Sequence, residues 1–480
     1  MEKKSFRKVI EFKTVQEFRD YLKEEGIQIG LSDRSGGPDS ALHQKINVCD
    51  RNVGNRWSIL PMEGWDCTKE GAPSELTRRR WLRFATSGAK LIYGTEAAAV
   101  MHEGRSNPEQ LWIADHTVHA LKDMVKEMHK VHKEKFGTDD DLLIGIQLTH
   151  SGRYAHPNDP MKLESRTAYA HPLLDQKFHC SEANVVSDSE VEEIVKNFIH
   201  AGELAKEAGF DFVDIKSAHG YLGHEFLTAH DRKGKYGGSF ENRTRFFREI
   251  AEGIKEKCPD LPLSARVSLF DIYPFIRGEN NVGVPMKWEG PYPYAFGGDG
   301  SGMNMDENLT ETAQFVKMLQ SYGVDLICAT IGSPYYNVHM QRPAYFPVCD
   351  GYLPPEHPLY NVSRHLKAVK RIRKLCPGIK VVGSGYTCLQ EYLPNAAEYA
   401  VEHNETDFVG IGRMVLSYPE ICMDSLNGTP LDRKRICRTL GDCTNGPRNG
   451  FVSGCYPLDE FYRSSEVCPK LKAILKEIKW

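Results

Sequence analysis

No stretch of this sequence approaches the roughly 20 consecutive apolar residues that a membrane-spanning helix requires. Its opening, MEKKSFRKVIEFKTVQEF, carries charge but lacks the apolar core of an export signal. Neither sign of charge is in surplus: 61 Lys and Arg stand against 65 Asp and Glu, a formal charge of −4. That balance leaves no basic footprint for nucleic acid or an anionic membrane. There is no internal repeat and no low-complexity tract, and no GxGxxG follows the first strand-like run, which removes the fingerprint of a doubly wound dinucleotide-binding sheet. Cysteine is present without pattern. Thirteen residues, an odd number spread over the whole chain, read as reduced thiols rather than a disulfide framework. The expectation is a soluble, cytoplasmic globular protein without nucleic-acid or membrane partners; self-association is left open.

What is present is alternation. Strand-like apolar runs occur at 56–62, 90–94, 142–148, 210–215, 261–267, 324–329, 380–383 and 407–410, and amphipathic helical patterns separate them, as at 74–86, 111–135, 188–208, 241–257, 307–321, 362–375, 389–400 and 419–426. Eight such alternations predict an α/β fold, a (β/α)8 TIM barrel. Two long insertions, 154–187 and 271–305, follow the third and fifth strands and so sit over one mouth of the barrel. The expected organisation is an N-terminal extension (1–50), the barrel (51–430) and a cysteine-containing C-terminal extension packed on it (431–480).

Chemistry concentrates where the strands end. The run 210–215 empties into Lys216, His219 and Tyr221, a cation, an imidazole and a phenol at the mouth where barrel enzymes gather their reactive groups. A merely polar loop is the weaker reading. Gly383-Ser384-Gly385 and Gly410-Ile411-Gly412-Arg413 end the last two strands with small residues and an arginine, which suits a phosphate. Pro61, Met62, Glu63, Gln147, His150, Arg153 and Arg266 occupy other strand ends. Together they describe a flat, hydrogen-bonding, phosphate-bearing cofactor.

The segments LPM (60–62), IQLTHSGRYAHP (146–157), DFVDIKSAHGYLGHEFL (211–227), YGGSFENRTRF (236–246), VVGSGY (381–386) and DFVGIGR (407–413) resemble the old yellow enzyme family of FMN-dependent NAD(P)H oxidoreductases. The pattern around Gln147, His150 and Arg153 is nearest the 2,4-dienoyl-CoA reductase branch. The resemblance implies FMN at the barrel mouth, lined by Pro61, Met62, Glu63 and Ala97, with Gln147 on the pyrimidine ring and Arg266 at its N1/O2 edge. Ser384, Gly385, Gly412 and Arg413 would hold the phosphate, and His150 and Arg153 would face substrate. It also implies hydride transfer from NADH or NADPH through the flavin to a conjugated carbonyl compound. Lys216 and His219 would then bind the carbonyl oxygen, and Tyr221 would protonate the α-carbon.

Two positions depart from the family. Lys216 stands where histidine is usual, and Glu63 where a small hydroxyl residue or cysteine is common. A lysine there also admits a Schiff-base lyase or aldolase reading, and a flavin binder without turnover is a third. Cys437, Cys443, Cys455 and Cys468 miss the spacing of the branch's iron–sulfur motif, so ordinary thiols and no metal are expected. The chain, ending at Trp480, is also expected to lack the branch's additional FAD and nucleotide-binding domains.

Overall fold

The computed structural model describes residues 6–478. In chain order the strands are β1 (Ile46–Val48), β2 (Arg51–Val53), β3 (Trp57–Ile59), β4 (Leu91–Ile92), β5 (Ala97–Ala99), β6 (Leu143–Thr149), β7 (Phe212–Ser217), β8 (Leu263–Ser268), β9 (Phe275–Arg277), β10 (Gly283–Pro285), β11 (Val324–Thr330), β12 (Lys380–Gly383) and β13 (Phe408–Ile411). Eight of them run parallel in the order β4-β3-β13-β12-β11-β8-β7-β6, and pairing of β4 with β6 closes the ring. Each predicted strand has its counterpart in this barrel. β5, three alanines beside β6, extends the sheet, while β1–β2 and β9–β10 are antiparallel hairpins outside it.

Strands buried on both faces need apolar residues throughout, and β6, β7 and β8 are buried at every position. Leu60, Leu91, Tyr93, Leu143, Phe212, Leu326, Val382 and Phe408 form one apolar cluster inside the ring. A second, larger cluster lies between sheet and helices, and it includes Val9, Phe12, Phe18 and Leu22 of the N-terminal segment. The C-terminal segment is tied down by Asp459, which takes Arg79 at 2.9 Å and also Arg83 from the helix Glu75–Ala85.

Several helices differ from their predicted spans, and in three the cause is visible. The helix expected from Leu111 begins at Val118, because Trp112 and Ile113 are taken up in pairing with Ala99. The helix expected over 241–257 is split at Thr244, whose hydroxyl bonds back to the Phe240 carbonyl. The segment expected as a helix over 389–400 opens as a 3-10 turn kinked at Gln390, and the helix proper is Leu393–Glu402.

The two insertions pack on each other. Tyr169 stacks on Tyr294 with centroids 5.8 Å apart, and Tyr292 lies 3.2 Å from His171. Their aromatic residues thus fill the space between loops.

The interior also sets a pH dependence. Burial holds eight histidines neutral: His132, His224, His339, His357 and His365 are lowered to about 4, His150 to about 3, and His171 and His219 lie well below the ordinary value. Between about pH 4 and 6.5 the unfolded chain binds protons at these positions that the folded chain refuses, so stability falls as the pH falls. Glu96, raised by burial to about 7, and Asp214 and Asp271, each raised by burial to about 6, act in the opposite sense. Asp211, Glu225 and Asp442 are raised by burial as well, and His156 and His230 are lowered by it, so ten histidines outweigh six carboxylates. The melting temperature is expected to drop on going from pH 7 to pH 5 in calorimetry; a rise would contradict this balance.

Candidate active site

One cavity, with about 1250 Å³ of empty space, opens at the carboxyl ends of the barrel strands. Every residue predicted for the site lines it except His150 and Arg153: Pro61, Met62, Glu63, Ala97, Gln147, Lys216, His219, Tyr221, Arg266, Ser384, Gly385, Gly412 and Arg413. Strand register brings them together. Gln147 on β6 lies opposite Asp214 on β7, and two residues on, Lys216 lies opposite Arg266 on β8. Alternation along β7 puts Asp214 and Lys216 on the same face as successive layers.

The lower layer is a polar network centred on Asp214. Asp214 accepts hydrogen bonds from Tyr93, at 2.8 Å, and from Gln147. The upper layer is built around Glu63. Its carboxylate receives the Lys216 ammonium at 3.0 Å, the Tyr221 hydroxyl at 2.8 Å and the Ser106 hydroxyl at 2.7 Å. Lys216 Nζ also sits 3.6 Å above the centre of the Tyr221 ring. The two departures from the family pattern are therefore one feature: Lys216 pairs with Glu63, and neither presents an uncompensated charge to the cavity. Burial lowers the Lys216 pKa and the Glu63 carboxylate draws it back up.

Tyr221 is held well above the ordinary phenol pKa by burial and by Glu63, so it stays protonated. Its hydroxyl lies 2.8 Å from that of Tyr335. With Tyr221 donating to Glu63, Tyr335 donates to Tyr221. His219 adopts a left-handed backbone, φ 68°, fixed by Ser268 on its N–H and Ser333 on its carbonyl. Its ring meets the Gln341 amide at 3.0 Å. Burial and the nearby Arg266 keep it neutral, so it can donate one N–H to a ligand.

The Glu63 loop is anchored from behind. The Gly64 N–H donates to Glu96 at 2.6 Å, and Arg80 bridges Glu96 and Asp66 at 2.6 and 2.9 Å, all buried. Arg80 packs so close that a Cβ on Gly64 would fall 1.9 Å from its Nη2; only glycine fits.

Arg153 and His150, expected to face substrate, do not line the cavity. Arg153 is fully buried between Glu225, at 2.6 Å, and Asp175. The Nδ1 of His150 accepts the Gly152 N–H, and its ring backs onto Gly104. Motif position located their strand end but not the direction of their side chains. Arg153→Met is expected to cost roughly 3–5 kcal/mol of stability, because it strands Glu225 as a buried charge. Chemical denaturation would show the loss, and a variant as stable as the parent would rule out the structural role. Ser384 does line the cavity, but its hydroxyl is spent on the Ala329 carbonyl at 2.7 Å.

Sequence reasoning missed Trp65, Ser106, Tyr335, Gln341, Arg342, Cys443, Thr444 and Arg448. All line the cavity except Ser106, which lies behind Glu63. They come from loops, from the four-residue helix Val338–Gln341 and from the C-terminal segment with its short helix Asp442–Arg448, all too short or irregular for a periodicity to reveal them. Among the described residues no three His, Cys, Asp or Glu side chains form a metal-binding group.

A model of the family described as NADH:flavin oxidoreductase / NADH oxidase matches residues 41–284. A protein of Geobacillus sp. (strain WCH70) named NADPH dehydrogenase is 32% identical over 240 residues, 49% of this chain and 65% of that protein. Among solved structures, 2-naphthoyl-CoA reductase in complex with 2-naphthoyl-CoA superposes with a TM-score of 0.60 at 19% identity, over 86% of this chain and 56% of that one. Histamine dehydrogenase from Rhizobium sp. 4-9 gives 0.60 at 20% identity, over 88% and 53%. Identities this low show a shared fold alone. The chain spans less than two thirds of the length of each of these relatives.

Proposed function

We infer from its membership of the NADH:flavin oxidoreductase / NADH oxidase family, to which this chain belongs, that it is an FMN-dependent oxidoreductase taking hydride from NADH or NADPH. We propose that the acceptor is an α,β-unsaturated carbonyl compound. When bound, FMN supplies the two-electron chemistry, accepting hydride from the nicotinamide and passing it to the β-carbon of the alkene. The cavity fits such a cofactor by its unmet hydrogen bonds. Gln147 Oε1, Arg266 Nε and Thr330 Oγ1 are buried, belong to cavity-lining side chains and have no partner in the protein. An imide-bearing ring offers both a donor for Gln147 and acceptors for Arg266 and Thr330. At the far end Gly385, Gly412 and Arg413 offer backbone N–H groups and a guanidinium for the phosphate.

The observation that carries the acceptor class is the occupied aromatic–carboxylate corner. A tyrosine face beside a carboxylate would suit a cationic amine, but here Lys216 already fills that place. What is left for a ligand is the Lys216 ammonium and the neutral His219 N–H, two donors suited to an oxygen that gains negative charge. Tyr221 gives its proton to the α-carbon, and Tyr335 resupplies it along the hydroxyl chain. Glu63 orients both Lys216 and the Tyr221 hydroxyl. The C-terminal extension supplies part of the mouth through Cys443, Thr444, Arg448 and Ser453. An anaerobic titration tests the reading: NADH or NADPH should bleach the flavin band, and an enone should restore it. A flavin reduced by either nicotinamide but indifferent to enones would refute the acceptor assignment.

A further inference from the structure

Charge along the cavity wall does not balance. Lys216, Arg266, Arg342, Arg413 and Arg448 line it, and Glu63 is the one carboxylate among the described lining residues. Glu63 is taken by Lys216, which leaves four guanidiniums. A flavin phosphate, with close to two negative charges, accounts for the neighbours Arg342 and Arg413, and the ring edge accounts for Arg266. Arg448 is left over. It ends the helix Asp442–Arg448 of the C-terminal segment, outside the stretch matched by the family model. Among the described residues its one ion pair is with Asp350, an exposed carboxylate that water screens. On the cavity side it stands by Tyr335, whose hydroxyl lies 2.8 Å from that of Tyr221. A second cation adjoins it there. Burial and Arg448 lower Lys177 to about 8, and the Lys177 ammonium bonds only the carbonyls of Phe275 and Tyr335, at 2.9 and 3.1 Å. A half-buried guanidinium in so positive a corner favours an anion as its further partner.

Resting on the enone reading above, we propose that the acceptor is a conjugated carbonyl compound that also carries a carboxylate, and that Arg448 binds that carboxylate beside Tyr335. The planar fork of a guanidinium takes both carboxylate oxygens at once. A second source of negative charge is the pyrophosphate of the nicotinamide. The acceptor is the better match, because Arg448 adjoins the Tyr335–Tyr221 pair, and in this account that pair serves only the reduction of the alkene. Anchoring the acid end holds the α-carbon by the Tyr221 hydroxyl, which is the positional advantage a remote contact supplies. The C-terminal segment thereby sets which alkenes the barrel accepts.

The test compares acceptors that differ only in that charge. The probes are enones bearing a carboxylate on a tether of one to four carbons, each paired with its methyl ester. Dissociation constants are read from the flavin absorbance of oxidised holoenzyme without nicotinamide, so that no turnover intervenes. The parent should bind at least one acid roughly tenfold or more tighter than its ester, the worth of one charge-assisted hydrogen bond. Arg448→Gln should bring that ratio close to one, and Arg448→Lys, which keeps the charge but not the fork, should hold part of it. Asp350→Asn, at an exposed position, removes the competing carboxylate and should raise the preference severalfold; it provides the reading if the glutamine variant does not fold. Equal binding of acid and ester by the parent at every tether length would overturn the proposal, as would a ratio that Arg448→Gln or Asp350→Asn leaves unchanged. Weaker binding of NADH and NADPH by Arg448→Gln, with the acid preference intact, would assign the guanidinium to the nicotinamide instead. A holoenzyme whose reduced flavin ignores acids and esters alike would sink the enone reading and this inference together; one that reduces the esters but binds the acids no better would sink only this one.

Discussion

Tyr221→Phe is expected to leave flavin reduction by the nicotinamide nearly unchanged and to slow reoxidation by an enone by about 10²–10⁴-fold, the usual worth of a positioned general acid. The asymmetry follows from the geometry. Tyr221 has a bound proton at any working pH, because burial and Glu63 hold its pKa well above that of a free phenol. It points that proton into a chain running from Tyr335 to Glu63. Hydride arrival at the flavin requires no phenol; protonation of a carbon does. Tyr335→Phe should give a smaller slowing, since it removes only the resupply. Stopped-flow measurement of the two half-reactions separates them, and equal loss in both would contradict the role of Tyr221.

The second large effect concerns Glu63 and Lys216. Glu63→Leu would strand a buried ammonium and Lys216→Met a largely buried carboxylate, each expected to cost roughly 3–5 kcal/mol. The double variant Glu63→Leu/Lys216→Met removes both charges and should recover most of that loss, because an apolar pair of similar volume is often no less stable than a buried ion pair. All three variants should lose enone reduction. Chemical denaturation of the four proteins closes the cycle; additive losses would mean that the two side chains act independently.

The pairing also marks where sequence reading stops. The barrel was legible because strands buried on both faces must be written as apolar runs, and β6, β7 and β8 are. β5 was not, since three alanines carry no strand preference. The positions of Lys216 and Glu63 were each visible as departures, but their contact spans 153 residues of sequence. Asp214, the carboxylate two residues before Lys216 in sequence, is instead bonded to Tyr93 and Gln147 one layer lower. His150 and Arg153 sit in a matching motif yet turn into the packing, because a motif fixes the backbone position and the surrounding carboxylates decide where the guanidinium goes. Tyr335 and Arg342 reach the cavity from an irregular segment and Arg448 from the seven-residue helix Asp442–Arg448, where only the folded chain shows direction.

The central claim is that hydride reaches the β-carbon by way of a bound flavin while the α-carbon takes a proton from Tyr221. Isotopic labelling reads this directly. With an enone substrate and nicotinamide deuterated at its transferable position in ordinary water, the product should carry deuterium at the β-carbon only; with ordinary nicotinamide in heavy water, at the α-carbon. A colourless protein that leaves the alkene untouched, and whose Lys216 is trapped by borohydride as an imine with a keto compound, would contradict it.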